Sequence, residues 1–123
     1  MDVIRHRPDG FAVLSGDDWL AFPVAAAGGD GLISVTSNEV PASMTELVHL
    51  ARGGNLEGAR RSQYRLLPLM DANFLETNPA PVKAGLALLG KIRDVLRLPL
   101  VSAGQSTRDA LRTALAAAGA HVR

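Results

Sequence analysis

The chain of 123 residues contains no cysteine. That removes disulfides, thiolate metal sites and thiol nucleophiles. Aromatic residues are sparse at 4%, too few for the stacking platforms that hold single-stranded nucleic acids. No apolar run approaches the ~20 residues that a membrane-spanning helix needs. Met1 to Gly10 is charged and has no apolar signal region. A dominant charge is missing too, because 13 basic residues face 12 acidic ones. Binding to nucleic acid or to a membrane surface by bulk charge is therefore not expected. Lysine is nearly absent: eleven of the 13 cations are arginine, and Lys83 and Lys91 are the remainder. The expectation is a cytoplasmic protein with no nucleic-acid and no membrane partner.

What is present is an apolar fraction of 47%, enough to fill one core in a chain of single-domain length. Phe11 to Ser15 (FAVLS) and Leu32 to Thr36 (LISVT) are short and almost wholly apolar or β-branched. That pattern predicts strands buried on both faces. Each is followed by cap residues and a helical period, one helix over about Trp19 to Ala27 and the next from about Pro41 to Gly53-Gly54. The remainder reads as helix. Asn55 caps a long helix to about Leu75, with Leu66, Leu67, Met70 and Phe74 as its stripe and Pro68 as a kink. A shorter helix spans about Val82 to Leu89, and Ile92 to Leu96 continues as helix or turn. Leu98-Pro99-Leu100 reads as extended. The last helix is capped by Ser106 and striped by Leu111, Ala114, Leu115 and Ala118.

The strand pair poses a physical difficulty. Two parallel strands do not make a stable sheet, and strands this apolar need cover on both faces. Both edges of the pair stay open. The α/β pattern matches the end of something larger, such as the last two units of an eight-unit barrel with a helical tail.

Several clusters have both a chemical and a structural reading. Gly16-Asp17-Asp18 ends the first strand, where α/β folds carry their chemistry. Paired carboxylates there can bind a metal or move protons, or simply cap a helix. Gly16 lets a ligand approach the backbone. Gly28-Gly29-Asp30-Gly31 resembles a phosphate cradle, but it precedes a strand and so belongs to the opposite, structural end. Ser34 to Asn38 lies at the functional rim without a His or Asp partner for a serine nucleophile, and suits a pocket wall. His6, His49 and His121 share no ligand spacing, which argues against a metal site. Tyr64 among Arg60, Arg61 and Arg65 suits an acidic ligand or a solvated helix face.

The series Ser15-Gly16-Asp17-Asp18, Gly28-Gly29-Asp30-Gly31-Leu32-Ile33-Ser34-Val35-Thr36-Ser37-Asn38, Arg65 to Met70, Asn73-Phe74, Glu76 to Lys83 and Leu96 to Leu100 resembles the dihydrodipicolinate synthase (4-hydroxy-tetrahydrodipicolinate synthase) family of pyruvate-dependent class I aldolases. The resemblance is collinear and spans nearly the whole chain, yet corresponds only to the family's C-terminal part. It implies the last two βα units of a (β/α)8 TIM barrel followed by a three-helix C-terminal extension. Residues 1–54 would be the end of the sixth helix with the seventh and eighth units, and 55–123 the extension. It implies a lyase without cofactor or metal, in which a lysine forms a Schiff base with pyruvate. The enamine attacks an aldehyde, aspartate semialdehyde, on the route to diaminopimelate and lysine. A sialic-acid or 2-keto-3-deoxy sugar-acid lyase is the alternative parent. Ile33 would match the residue whose backbone helps hold pyruvate, and Gly16 a glycine lining the pocket. The Schiff-base lysine, the proton-relaying tyrosine and the threonine pair of the family all lie upstream of these residues. Lys83 and Lys91 fall in the tail and cannot substitute, so the chain alone is expected to be inactive. A homo-oligomer, or a non-catalytic module completing a separate N-terminal half, is the expected partnership.

Overall fold

The computed structural model of the chain describes residues 1–122. A short helix α1 (Asp2–His6) buries none of its residues. It leads into a parallel pair, β1 (Leu14–Ser15) and β2 (Gly31–Leu32), in which Leu14 lies opposite Gly31 and Ser15 opposite Leu32. Between them run a 3-10 turn (Asp18–Leu20) and helix α2 (Ala21–Ala26). A second 3-10 turn (Thr36–Asn38) follows β2 and leads to α3 (Pro41–Arg52). Then come α4 (Leu56–Ala72), α5 (Ala80–Leu88) and α6 (Gln105–Ala117).

Both strands are shorter than the sequence pattern suggests. Phe11 to Val13 lie outside β1, and Ile33 to Thr36 lie outside β2, with Thr36 already in a 3-10 turn. A ladder needs partners, and among the described residues each strand has one hydrogen-bonded neighbour. Asp30 N–H donating to Val13 O and Ile33 N–H donating to Ser15 O, both at 2.8 Å, extend the pairing one step at each end. Phe11, Leu14 and Ile33 are 57%, 47% and 68% exposed. The open strand edges expected from the sequence are therefore open in the fold.

The Gly28-Gly29-Asp30-Gly31 turn is structural, as its position implied. Gly28 has a φ of +96°, in the left-handed region that glycine tolerates. A Cβ on Gly29 would sit 2.5 Å from the Val24 side chain. The Asp30 carboxylate accepts the Val13 N–H at 2.8 Å and pairs with Arg7. The Val13 N–H foremost, with the Arg7 charge, holds its pKa below the usual carboxylate range.

The core belongs to the helices. Leu47 of α3, Leu66, Leu69 and Met70 of α4, and Leu111 and Leu115 of α6 are fully buried in one cluster. Several readings of the helices change. The buried line of α4 runs through Leu66, Leu69, Met70 and then Asn73, while Leu67 is only partly buried and Phe74 is exposed. The helix ends at Ala72, short of Leu75, with Pro68 inside it. Of the two alternatives for Ile92 to Leu96 the fold takes the turn, with Val95 N–H donating to Arg93 O at 2.9 Å, while Leu98-Pro99 is a turn with a cis peptide instead of an extended segment. Ser106 does not cap α6; its N-cap is Gly104, whose N–H donates to Glu76 Oε1 at 2.9 Å. A carboxylate brought in from the loop between α4 and α5 thus does the work of a local hydroxyl. Asn55 caps α4 as the sequence indicates, accepting the Gly58 N–H at 3.0 Å.

Candidate functional site

The carboxyl ends of β1 and β2 form a rim. Ile33 N–H donates to Ser15 O, and the parallel register therefore sets Gly16 beside Ile33. Gly16 is exposed, and a Cβ placed on it would meet nothing within 4 Å. The two residues singled out for substrate contact thus lie together on an open surface.

Asp17 and Asp18 do not act as a pair. Asp17 Oδ1 accepts the Trp19 N–H at 2.9 Å, closing the 3-10 turn. Asp18 turns inward, is 2% exposed, and accepts the N–H groups of Val35 at 3.1 Å and Thr36 at 2.9 Å. The metal or acid–base reading of this dipeptide gives way to a cap and a cross-link between rim segments. Ser34 and Ser37 are used locally: Ser37 N–H donates to Ser34 Oγ at 2.8 Å, and Ser37 Oγ donates to Ser34 O at 3.2 Å. Both serines line a groove of about 420 Å³ with Leu32, Met44, His49 and Arg52.

The remaining candidates scatter. His6 lies on α1, with its ring Nδ1 3.1 Å from Asp2 O, and His49 lies on α3. His121 follows α6. Among the described residues no three His, Cys, Asp or Glu side chains group as metal ligands. Arg60 and Arg61 pair with Glu57, and Arg65 lies 3.8 Å from Glu46. Tyr64 is exposed. This is the solvated helix face. Lys83 donates to Val95 O; Lys91 lies in the bend after α5. Neither lysine lies on a strand or on the turn that follows one.

Beneath the rim lies a polar group that the sequence did not bring forward. Glu39 and Asn73 are 3% and 0% exposed. Asn73 Nδ2 donates to Glu39 Oε2 at 2.7 Å and approaches Thr36 Oγ1 at 3.5 Å. Gln63 Nε2 donates to the carbonyls of Asp18 and Trp19, each at 3.2 Å, and its Oε1 accepts the Phe22 N–H at 3.3 Å. Burial, opposed by the Asn73 hydrogen bond and reinforced by the charge of Asp18, pushes the Glu39 carboxyl up to about 7. One sequence signal was available. Gln63, Leu66, Met70 and Asn73 follow the i, i+3, i+7, i+10 spacing of a single helix face, so two polar residues share the apolar stripe.

The comparisons with known proteins agree with this geometry. The family model of the dihydrodipicolinate synthetase family matches residues 1–118. The 4-hydroxy-tetrahydrodipicolinate synthase of Syntrophus aciditrophicus is 50% identical over 111 residues, covering 90% of this chain and 38% of that protein. That of Koribacter versatilis is 46% identical over 119 residues, covering 97% and 40%. Among solved structures, the dihydrodipicolinate synthase of Thermotoga maritima superposes with a TM-score of 0.86 at 50% identity, over 89% of this chain and 37% of that one. That of Aquifex aeolicus gives a TM-score of 0.93 at 35% identity, over 99% and 42%. The chain spans about two-fifths of the length of the relatives it matches. It belongs to the dihydrodipicolinate synthetase family and corresponds to the C-terminal part of that family's TIM-barrel enzymes.

Proposed function

We propose that this chain supplies the seventh and eighth βα units and the helical extension of a pyruvate-dependent aldolase of the 4-hydroxy-tetrahydrodipicolinate synthase type. Residues 1–54 belong to the barrel and 55–123 to the extension. In the whole enzyme a lysine amine condenses with the pyruvate carbonyl and releases water. The resulting enamine forms the new carbon–carbon bond to the aldehyde of aspartate semialdehyde. The role of this chain is to present backbone at Ile33 and an unobstructed approach at Gly16. The observation that carries the reading is the Ile33 N–H to Ser15 O bond at 2.8 Å, which aligns Gly16 and Ile33 at the carboxyl end of a parallel pair.

The chain's own amines do not suit the chemistry. A Schiff-base lysine needs a desolvated site near the substrate to be nucleophilic at neutral pH. Lys83 is engaged with the Val95 carbonyl, and Lys91 follows α5. The lysine must come from the other six units, as part of a longer chain or as a second polypeptide, in an assembly that is itself a homo-oligomer. No described helix is long and apolar enough to cross a membrane, which fits a cytoplasmic enzyme.

Borohydride trapping with pyruvate, read by intact mass, tests this. The 123-residue chain alone is expected to gain no pyruvyl adduct. Mixed with a polypeptide carrying the first six units of a relative, it is expected to restore an adduct on that polypeptide. An adduct on Lys83 or Lys91 overturns the reading.

A further inference from the structure

Asp18, Glu39 and Asn73 sit where the two rim segments meet the end of α4, and their hydrogen bonds leave an imbalance. Asp18 Oδ1, Glu39 Oε1 and Asn73 Oδ1 are all inaccessible to solvent and all lack a donor. Each is an acceptor, and buried acceptors without donors are costly. One Asn73 amide hydrogen is spent on Glu39 and the other points towards Thr36 Oγ1. A hydrogen on Glu39, which in its acid form carries one O–H, would relieve part of that imbalance by turning one of the three acceptors into a donor. The packing allows little else. A Cβ on Gly85 of α5 would lie 1.9 Å from Glu39 Oε1, so that oxygen already fills the slot the glycine leaves.

We propose that Asp18, Glu39 and Asn73 form a proton-dependent latch that holds the two rim segments, and with them Gly16 and Ile33, against the end of α4. With Glu39 protonated, the cluster has one carboxylate, one carboxylic acid and one amide. When Glu39 ionises, two carboxylates share a dry site in which the Val35 and Thr36 N–H groups serve Asp18 and only the Asn73 amide serves Glu39, and the latch loosens. The charged group that Glu39 feels is Asp18. The other elements around it bring Asn73 and Gly85, which are neutral. Asp71 of α4 is taken by Trp19 Nε1 at 2.7 Å, and Lys83 of α5 by the Val95 carbonyl. Lys91 and His121 line the cleft at the start of α3, which Glu39 also borders. The sign follows from the raised proton affinity. The contribution of Glu39 is complete below pH ~4.5 and is lost as pH rises through about 7. That the latched segments carry the pyruvate-binding backbone rests on the proposed function; the latch does not.

Amide hydrogen exchange on the 123-residue chain, corrected for intrinsic rates, tests the latch without pyruvate or any second polypeptide. Failure of the catalytic reading therefore leaves this result standing, and the reverse. Protection at Val35 and Thr36, the amides bound to Asp18, is expected to fall about tenfold from pH 6 to pH 8. Protection at Leu111 and Leu115 of α6 should hold. Glu39→Gln, which cannot ionise, is expected to keep the pH 6 protection at pH 8. Asp18→Asn is expected to lose about tenfold at both pH values. A pH-independent Val35 and Thr36 in the wild type overturns the proposal. So does a Glu39→Gln chain that falls like the wild type, or parallel loss in α6.

Discussion

At the scale of single residues, the most constrained position is one without a side chain. Gly85 lies in the interior of α5, where glycine is normally a cost relative to alanine of about 1 kcal/mol. Its absence of a Cβ is what admits the Glu39 carboxyl. Gly85→Ala is therefore expected to destabilise the chain by about 1–3 kcal/mol despite the better helix propensity, because the clash outweighs the gain. Glu39→Ala should remove the obstacle, so the double variant should cost less than the two single changes added together. Urea denaturation of the four chains measures this cycle, and strict additivity would show that the contact carries no strain.

At the scale of the helix or turn, the ends decide more than the middles. Asn55 opens α4 by accepting the Gly58 N–H with its own side chain. Asn55→Ala is expected to cost about 1 kcal/mol and Asn55→Gly only a few tenths, both read as shifts of the urea midpoint. The start of α6 shows the opposite arrangement. Its cap comes from Glu76, whose carboxyl is held below its ordinary proton affinity by the Thr107 hydroxyl first and then by the Gly104 N–H. A cap that depends on a loop nearly thirty residues upstream cannot be read from the local sequence, which is why Ser106 was the residue that local rules favoured. The rim turns obey the same division. Asp17 caps its own turn, whereas Asp18 binds the backbone of a segment beyond α2.

At the scale of the molecule, the surface is larger than the mass warrants. The described residues expose 7200 Å², whereas a folded monomer of 12.9 kDa exposes about 6300 Å². The excess, about 900 Å², approximates one partner's share of a standard protein interface, about 800 Å². It includes the open sheet edges, where Phe11, Leu14 and Ile33 stand exposed. The buried core lies among the helices, with Leu32 of β2 packed against it, while Leu14 and Ile33 beside it stay uncovered. Sedimentation velocity is expected to show concentration-dependent association of the chain, and Phe11→Glu is expected to reduce it without lowering the thermal midpoint. A monomer at all concentrations would mean that the exposed edge does not drive association.

The amino-acid order was enough to anticipate the strand–helix–strand–helix order, the Gly28-Gly29 turn between helix and strand, the Asn55 cap, the buried stripe of α6 and the unpaired strand edges. These follow from local periodicity, turn chemistry and the bookkeeping of backbone hydrogen bonds, all of which act over a few residues or one element. Gly16 and Ile33 became adjacent only through the observed register, Ser15 opposite Leu32; aligning the two sequence patterns end to end would have set Gly16 beside Ser37. Tertiary structure alone decided that Asp18 faces inward, that Asn73 and not Phe74 continues the α4 stripe, and that Glu39 shares a dry site with both. Whether a carboxylate is a ligand, a cap or a buried acid depends on which distant donors surround it, and here those donors, Val35 and Thr36 for Asp18 and Asn73 for Glu39, come from segments that only the folded chain brings into contact.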